Sequence, residues 1–233
     1  MAAPSCVVVG VGPGNGAAFA RAFAREGYRV GLIARSRTTL DSLAAELPGS
    51  SAVTCDVRVP QEVEGAFAQL RATLGPINVL IYNAGAGAFE DLDQATPESL
   101  ESAWRTNALG LFAATRAALP DMRGQHQGSI IVIGATASIR GGARFLPFAA
   151  AKAAQRSLAQ SMARKLWPEG IHVAYVVLDG VVDLPRTRQA MPDKPDEFFL
   201  KPDAIAEGVL ALVRQSPQAW TFELDLRPFG EKW

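Results

Sequence analysis

Five runs in this chain are apolar at odd and even positions alike: "CVVVG" (6–10), "YRVGLIA" (28–34), "INVLIYNAG" (77–85), "GSIIVIG" (128–134) and "IHVAYVVLDG" (171–180). A strand that is apolar on both faces must be covered on both sides, which favours a parallel sheet sandwiched between helices. Segments of helical periodicity alternate with these runs. "NGAAFARAFAREG" stops at Gly27, "PQEVEGAFAQLRATLG" opens on Pro60 and closes on Gly75, and the long "TPESLESAWRTNALGLFAATRAALPDM" has Thr96 as N-cap and Pro97 in its first turn. "TTLDSLAAEL", "PFAAAKAAQRSLAQSMARKLWP" and "PDAIAEGVLALVRQS" complete the helices, "SAVTCDV" adds a strand, and "AWTFELDLRP" alternates apolar and polar like an edge strand. The order predicts an α/β fold with one doubly wound parallel sheet and right-handed crossovers.

A length of 233 residues with 48% hydrophobic content suits one domain, 1–233, with one sizeable core. The Pro- and charge-rich stretch 181–201 is long for a connection and reads as a substrate lid. Formal net charge is zero, without a charged block, so nothing points to nucleic acid. No apolar run is long enough to span a bilayer. "MAAPSCVVVGVG" lacks a basic region ahead of its apolar run, so a cytoplasmic location is expected. Cys6 and Cys55 sit in strand-like runs and read as buried thiols; the two Cys and two His show no metal-site spacing.

"GVGPGNG" (10–16) follows the first strand and opens the first helix. Gly10, Gly14 and Gly16 suit a tight turn that lets backbone approach a pyrophosphate, with the helix N-terminus supplying N–H groups. The strand–turn–helix context gives this glycine pattern its weight.

From this Gly-xxx-Gly-x-Gly spacing onward the chain resembles the short-chain dehydrogenase/reductase family over nearly its whole length. "CDV" at 55–57, "NAG" at 83–85, Asn107 in "RTNALG" and Lys152 fall in the family's order. The resemblance implies a Rossmann-type sheet of about seven strands, order 3-2-1-4-5-6-7, with helices on both faces. It implies a cofactor site of Gly10, Gly12, Pro13, Gly14, Asn15 and Gly16 in the first turn and Arg35 and Ser36 after the second strand. Asp56 and Val57 would meet the adenine; Asn83, Ala84 and Gly85 would form the fourth-strand turn; Lys152, Gly180 and Val182 would lie along the nicotinamide half. Ala34 stands where an NAD-selecting acid is expected and Arg35 follows, a planar donor fork suited to a 2′-phosphate. NADP(H) is therefore favoured, with NAD(H) left open.

The resemblance also implies a Tyr four residues before the Lys as general acid or base, and a Ser thirteen before that Tyr to hold the substrate oxygen. Hydride transfer to a carbonyl builds oxyanion charge, which needs such donors. Here the Tyr position is Phe148 and the Ser position is Ala135, while Asn107 and Lys152 stand in place. "LDG" (178–180) departs from the family's Pro-Gly, and Leu184 stands where a Thr contact to the nicotinamide amide is expected.

Three readings follow. In the first, the chain is an NADP-dependent oxidoreductase with a non-standard proton donor, acting on a small apolar carbonyl, imine or activated alkene. Lys152, Asn107, Ser138 and Thr136 are then the candidate catalytic residues, with Tyr82, Asp179 and Asp183 as further donors. Phe148, Ala135, Ser138 and Asp179 line the substrate pocket, with Met191, Phe198 and Phe199 beside Arg186 and Arg188 in the lid. In the second, it binds cofactor without turnover, as a sensor or partner subunit. In the third, the fold hosts non-redox chemistry. The partners expected are a small-molecule substrate and a second copy of the chain, as a homodimer or homotetramer built on the two long helices and the last strand and helix. No nucleic acid and no membrane partner is expected. The aromatics at the chain end read as docked residues.

Overall fold

The computed structural model describes residues 3–86 and 89–230. Trp233 at the chain end, expected to dock, lies outside the described residues. Seven strands form one parallel sheet in the order β3-β2-β1-β4-β5-β6-β9. They are β1 (Ser5–Val9), β2 (Arg29–Ala34), β3 (Ser51–Thr54), β4 (Val79–Tyr82), β5 (Gly128–Ile133), β6 (Ile171–Leu178) and β9 (Glu223–Leu226). This is the order expected, with β9 as the seventh strand because a separate pair, β7 (Val181–Val182) with β8 (Phe199–Leu200), intervenes.

Alternate residues of each strand feed two cores, as their double apolarity requires. Cys6, Val8, Val79, Ile81, Ile131 and Ile133 join α1 (Asn15–Arg25), α2 (Arg37–Glu46) and α8 (Pro202–Val213) on one face. Val7, Val9, Leu80, Tyr82, Ile130 and Val132 join α3 (Pro60–Leu74), α5 (Gly110–Gln125) and α6 (Leu146–Leu166) on the other. Cys6 and Cys55 are buried free thiols, and burial pushes Cys55 up to about 11.

The long helix read from 96 to 122 is not uniform. Thr96 caps α4 (Pro97–Trp104) reciprocally with Ser99. Residues Arg105–Leu109 then form a π turn before α5. A π turn offsets the helical hydrogen-bond register by one residue and marks functional positions often enough to matter here, since Asn107 lies within it. The stretch 181–201 is ordered rather than loose: it holds β7, the short helix α7 (Pro185–Ala190) and β8. Only 223–226 of the last predicted strand pairs with β6; Trp220 before it stacks on His172 with ring centroids 4.8 Å apart. Among the described residues no helix is long and apolar enough to cross a membrane.

Candidate active site

The residues singled out from the sequence collect at the carboxyl ends of the strands. The strand order reverses between β1 and β4, and a doubly wound sheet opens a crevice at that point.

The first turn is tight for a visible reason. Gly10 has φ +93, and a Cβ there would sit 2.3 Å from Ala84 N. Asn83 Nδ2 donates to Gly10 O at 2.7 Å, joining the β1 and β4 turns. A Cβ on Gly16 would meet Gly10 O at 2.7 Å, whereas one on Gly12 would meet nothing within 4 Å. Gly12 and the exposed Pro13 therefore face open space. Gly14 is covered by Leu184, whose Cδ2 would lie 2.1 Å from an added Cβ. Helix α1 begins at Asn15 with no side-chain cap and no acidic residue in its first turn, and Asn15 Oδ1 is buried without a partner.

At the end of β2, Arg35 is exposed and has no ion-pair partner among the described residues. Ser36 is occupied as the cap of α2, accepting from Thr39 N. The Asp56 carboxylate is gripped by Arg58, at 3.0 Å from Nε and 2.6 Å from Nη2. That guanidinium holds the carboxyl below its usual range, and Arg35 adds to the effect. The Asp56 N–H donates to Glu62 at 2.8 Å. Val57 packs against Gly110, where an added Cβ would lie 3.0 Å from Val57 Cβ.

Beneath the β4 turn the polar groups converge. A Cβ on Gly85 would sit 3.5 Å from Asn107 Oδ1 and 3.7 Å from Lys152 Nζ. Asn107 Nδ2 donates to Ala103 O at 2.9 Å and to Ala86 O at 3.2 Å, while its Oδ1 is buried without a partner. Lys152 is 5% exposed. Its Nζ donates to Ile133 O at 2.9 Å and to Gln155 Oε1 at 3.0 Å. Burial of the ammonium lowers it to about 7.

Phe148 lies one helical turn from Lys152, its ring centroid 5.9 Å from Nζ. The ring meets Phe89 edge-on at 5.9 Å, and Phe89 meets Phe145 at 5.3 Å. The helix thus offers an aromatic cluster where a phenol is expected. Ala135, extended, precedes a short 3-10 turn, Thr136–Ser138, that carries the hydroxyls nearest the vacant serine position. Both hydroxyls are already committed. Thr136 Oγ1 donates to Asp179 Oδ1 at 2.5 Å, and Ser138 Oγ donates to Ala135 O at 2.7 Å. Asp179 also pairs with Arg227 at 3.2 Å, and its N–H donates to Leu226 O, so it braces the end of β6 against β9. Gly180 lies against Pro228, 2.7 Å from an added Cβ, and Val182 pairs with Leu200 in the small sheet.

The further donors named from the sequence are placed elsewhere. Tyr82 is fully buried against α5, its hydroxyl donating to Thr106 O at 2.5 Å, and burial raises it strongly. Asp183 is enclosed by Arg188 and Lys201. Phe199 is buried under the Arg188 guanidinium, 4.0 Å above its ring, and Phe198 packs edge-on to it, so these rings hold 181–201 together instead of facing the crevice. Met191 and Arg186 are exposed.

Two buried residues were not singled out from the sequence. Gln155 bridges Lys152 and Asn107, its Nε2 donating to Asn107 O at 3.1 Å. Tyr175 on β6 stands behind the same group, its hydroxyl 3.4 Å from Gln155 Oε1. A buried Gln on an Ala-rich helix face, three residues past Lys152, is the available signal for the first. Two concavities lie outside the crevice, one of about 480 Å³ near Phe199, Lys201 and Phe229 and one of about 400 Å³ beside Trp167 and Phe222.

The family model for short chain dehydrogenase matches residues 5–195. A 3-oxoacyl-(acyl-carrier-protein) reductase of Bos taurus is 30% identical over 184 residues, 78% of this chain and 77% of that protein. Among solved structures, a short-chain dehydrogenase from Rhodopseudomonas palustris is 33% identical and covers 97% of this chain and 99% of its own, with a TM-score of 0.83. An alcohol dehydrogenase from the archaeon Thermococcus sibiricus, complexed with 5-hydroxy-NADP, is 27% identical with a TM-score of 0.87, covering 98% of each chain. The seven-stranded order, the glycine turn and these matches agree, and the chain belongs to the short-chain dehydrogenase family.

Proposed function

We propose that the chain binds NADP(H) and transfers hydride to or from a small apolar substrate that needs little help from a protein acid, such as an imine or an activated alkene. The observation that carries this is the Lys152 seat: the amine is buried and doubly hydrogen-bonded under Gly85, yet its neighbour one turn back is a phenyl ring.

The residues present fit the cofactor. The glycine turn presents the uncapped start of α1 and an unpartnered Asn15 Oδ1, and Asn107 Oδ1 is a second unpartnered atom beside Lys152. Gly12, Gly14 and the first N–H groups of α1 would take the pyrophosphate, Arg35 a 2′-phosphate, and Lys152 the nicotinamide ribose. When bound, the cofactor supplies or accepts the hydride. The chain's own groups then hold it in place, while Phe148, Phe145 and Phe89 would offer an apolar wall to the substrate. Loss of a general acid costs about 10²- to 10⁴-fold in rate, so ordinary ketones are poor substrates on this reading. Solved relatives bound to NADP at 27% identity support the cofactor choice.

A second reading, cofactor binding without turnover, is favoured by one observation: the hydroxyls of Thr136 and Ser138 are both spent on internal acceptors. The test is to mix the protein with NADPH and a panel of ketones, imines and enones and follow the absorbance. Imine or enone turnover that collapses in Lys152→Ala supports the first reading. Tight NADPH binding with no turnover across the panel supports the second.

A homo-oligomer is proposed through the α4–α5 face. Leu100, Trp104 and Phe112 expose 37%, 46% and 44% of their surface there, an apolar stripe of the kind that subunit interfaces cover. Two buried free thiols suit a reducing compartment, the cytoplasm.

A further inference from the structure

We propose that Gln155 is a positioning residue for Lys152: its side-chain amide ties Lys152 Nζ to the backbone carbonyl of Asn107 and so fixes the amine beneath the Gly85 turn. The proposal rests on the reading that Lys152 serves the cofactor, and it assigns that service to a residue outside the motif.

The direction of the amide is set by its partners. The Asn107 carbonyl only accepts, so it takes Nε2, at 3.1 Å. Oε1 must then face the other way, where it accepts from Lys152 Nζ at 3.0 Å and from the Tyr175 hydroxyl at 3.4 Å. Three elements meet at this one amide: α6, which carries both Lys152 and Gln155, the π turn through Asn107 O, and β6 through Tyr175; β5 joins through Lys152, whose Nζ also donates to Ile133 O.

Packing alone does not account for a glutamine here. Gln155 is fully buried beside Lys152 among the small residues Ala151, Ala159 and Ala163 of α6. An apolar side chain would fill the space without the cost of desolvating an amide. With the amide, both of its ends are satisfied and the lysine gains a second fixed acceptor. Without it, Nζ would keep Ile133 O alone, and a four-carbon stem with three donors would be free to leave the cofactor side. Tyr175 is the titratable group packed here from β6, its hydroxyl meeting Gln155 Oε1 and the Lys152 backbone carbonyl; the groups from β5, the β4 turn and the π turn are the Ile133 carbonyl, Gly85 and Asn107, all neutral.

The experiment titrates Lys152 in protein with isotope-labelled lysine by NMR, without cofactor, and measures NADPH affinity separately. In wild type Lys152 is expected to titrate well below the usual lysine value, lowered by burial to about 7. In Gln155→Leu it is expected to move lower, and NADPH to bind about tenfold more weakly, the equivalent of one charge-assisted hydrogen bond. In Gln155→Glu a carboxylate faces the amine and the titration moves up. A folded Gln155→Leu protein with wild-type titration and affinity overturns the proposal. If that variant does not fold, an unmoved titration in Gln155→Glu overturns it instead. Absence of NADPH binding in wild type would sink the cofactor reading, while the titration would still decide the role of Gln155.

Discussion

On the proposed function, position 148 sets which proton chemistry Lys152 can support. Residues four apart share a helix face, and here that places a phenyl ring 5.9 Å from the amine. Phe148→Tyr with Ala135→Ser restores a donor and an oxygen-holding hydroxyl at the two changed positions. Ketone reduction by this double variant is expected to rise by about 10²-fold or more over wild type. Unchanged ketone reduction with intact NADPH binding would show that the reacting atoms do not meet position 148. The two replacements and the retained Lys152 and Asn107 were legible through the family resemblance, and helix geometry alone fixes only Phe148 relative to Lys152. Gln155 and Tyr175 were not, because their role depends on where the π turn and β6 bring Asn107 O and the Tyr175 hydroxyl.

The segment 181–201 shows what pattern reading misses within an element. Its charges and aromatics suggested a lid over substrate, but they are paired with one another. Arg188 donates to Asp183 at 2.6 Å and to Asp196 at 2.5 Å, and Lys201 reaches the same two carboxylates at 2.7 and 3.0 Å. These cations hold both carboxyls below their usual range. A carboxylate lowered in the folded state adds stability above its unfolded value and loses it as pH falls below that value. The clamp is thus full above 3.8 and weakens at more acid pH. Cleavage of 181–201 in limited proteolysis is expected to accelerate as pH drops below 4, roughly the unfolded carboxylate value, and to be fast already at pH 7 in Asp183→Asn. A cleavage rate independent of pH in wild type would contradict this. Asp196 is 75% exposed on its side chain, so salt should weaken its share first. Local sequence does not choose among the acids and bases of this stretch: Arg188–Asp183 and Lys201–Asp196 lie five residues apart, but Lys201 meets Asp183 only when β8 returns beside β7.

At the scale of the molecule, the sheet leaves α4 and α5 with an apolar stripe facing out. Trp104→Glu combined with Phe112→Glu is expected to shift the protein to monomer in analytical ultracentrifugation while leaving its helical content intact. A wild type that is already monomeric would remove the proposed interface. By itself the sequence determined the architecture: double-sided apolar strands between helices demand a covered parallel sheet, and Gly10 and Gly16 stand where a Cβ would strike the backbone of Ala84 and Gly10. It also pointed to the strand ends where the proposed site is placed, since crossovers of one hand bring successive strand ends to one edge. Only the tertiary structure decided which polar groups are free to act. Thr136, Ser138, Asp179 and Tyr82 looked available as residue types, and each is tied to a partner distant in sequence or to its own turn. Hydrogen-bond satisfaction is settled by what folding brings within about 3 Å, and spacing along a chain does not record that.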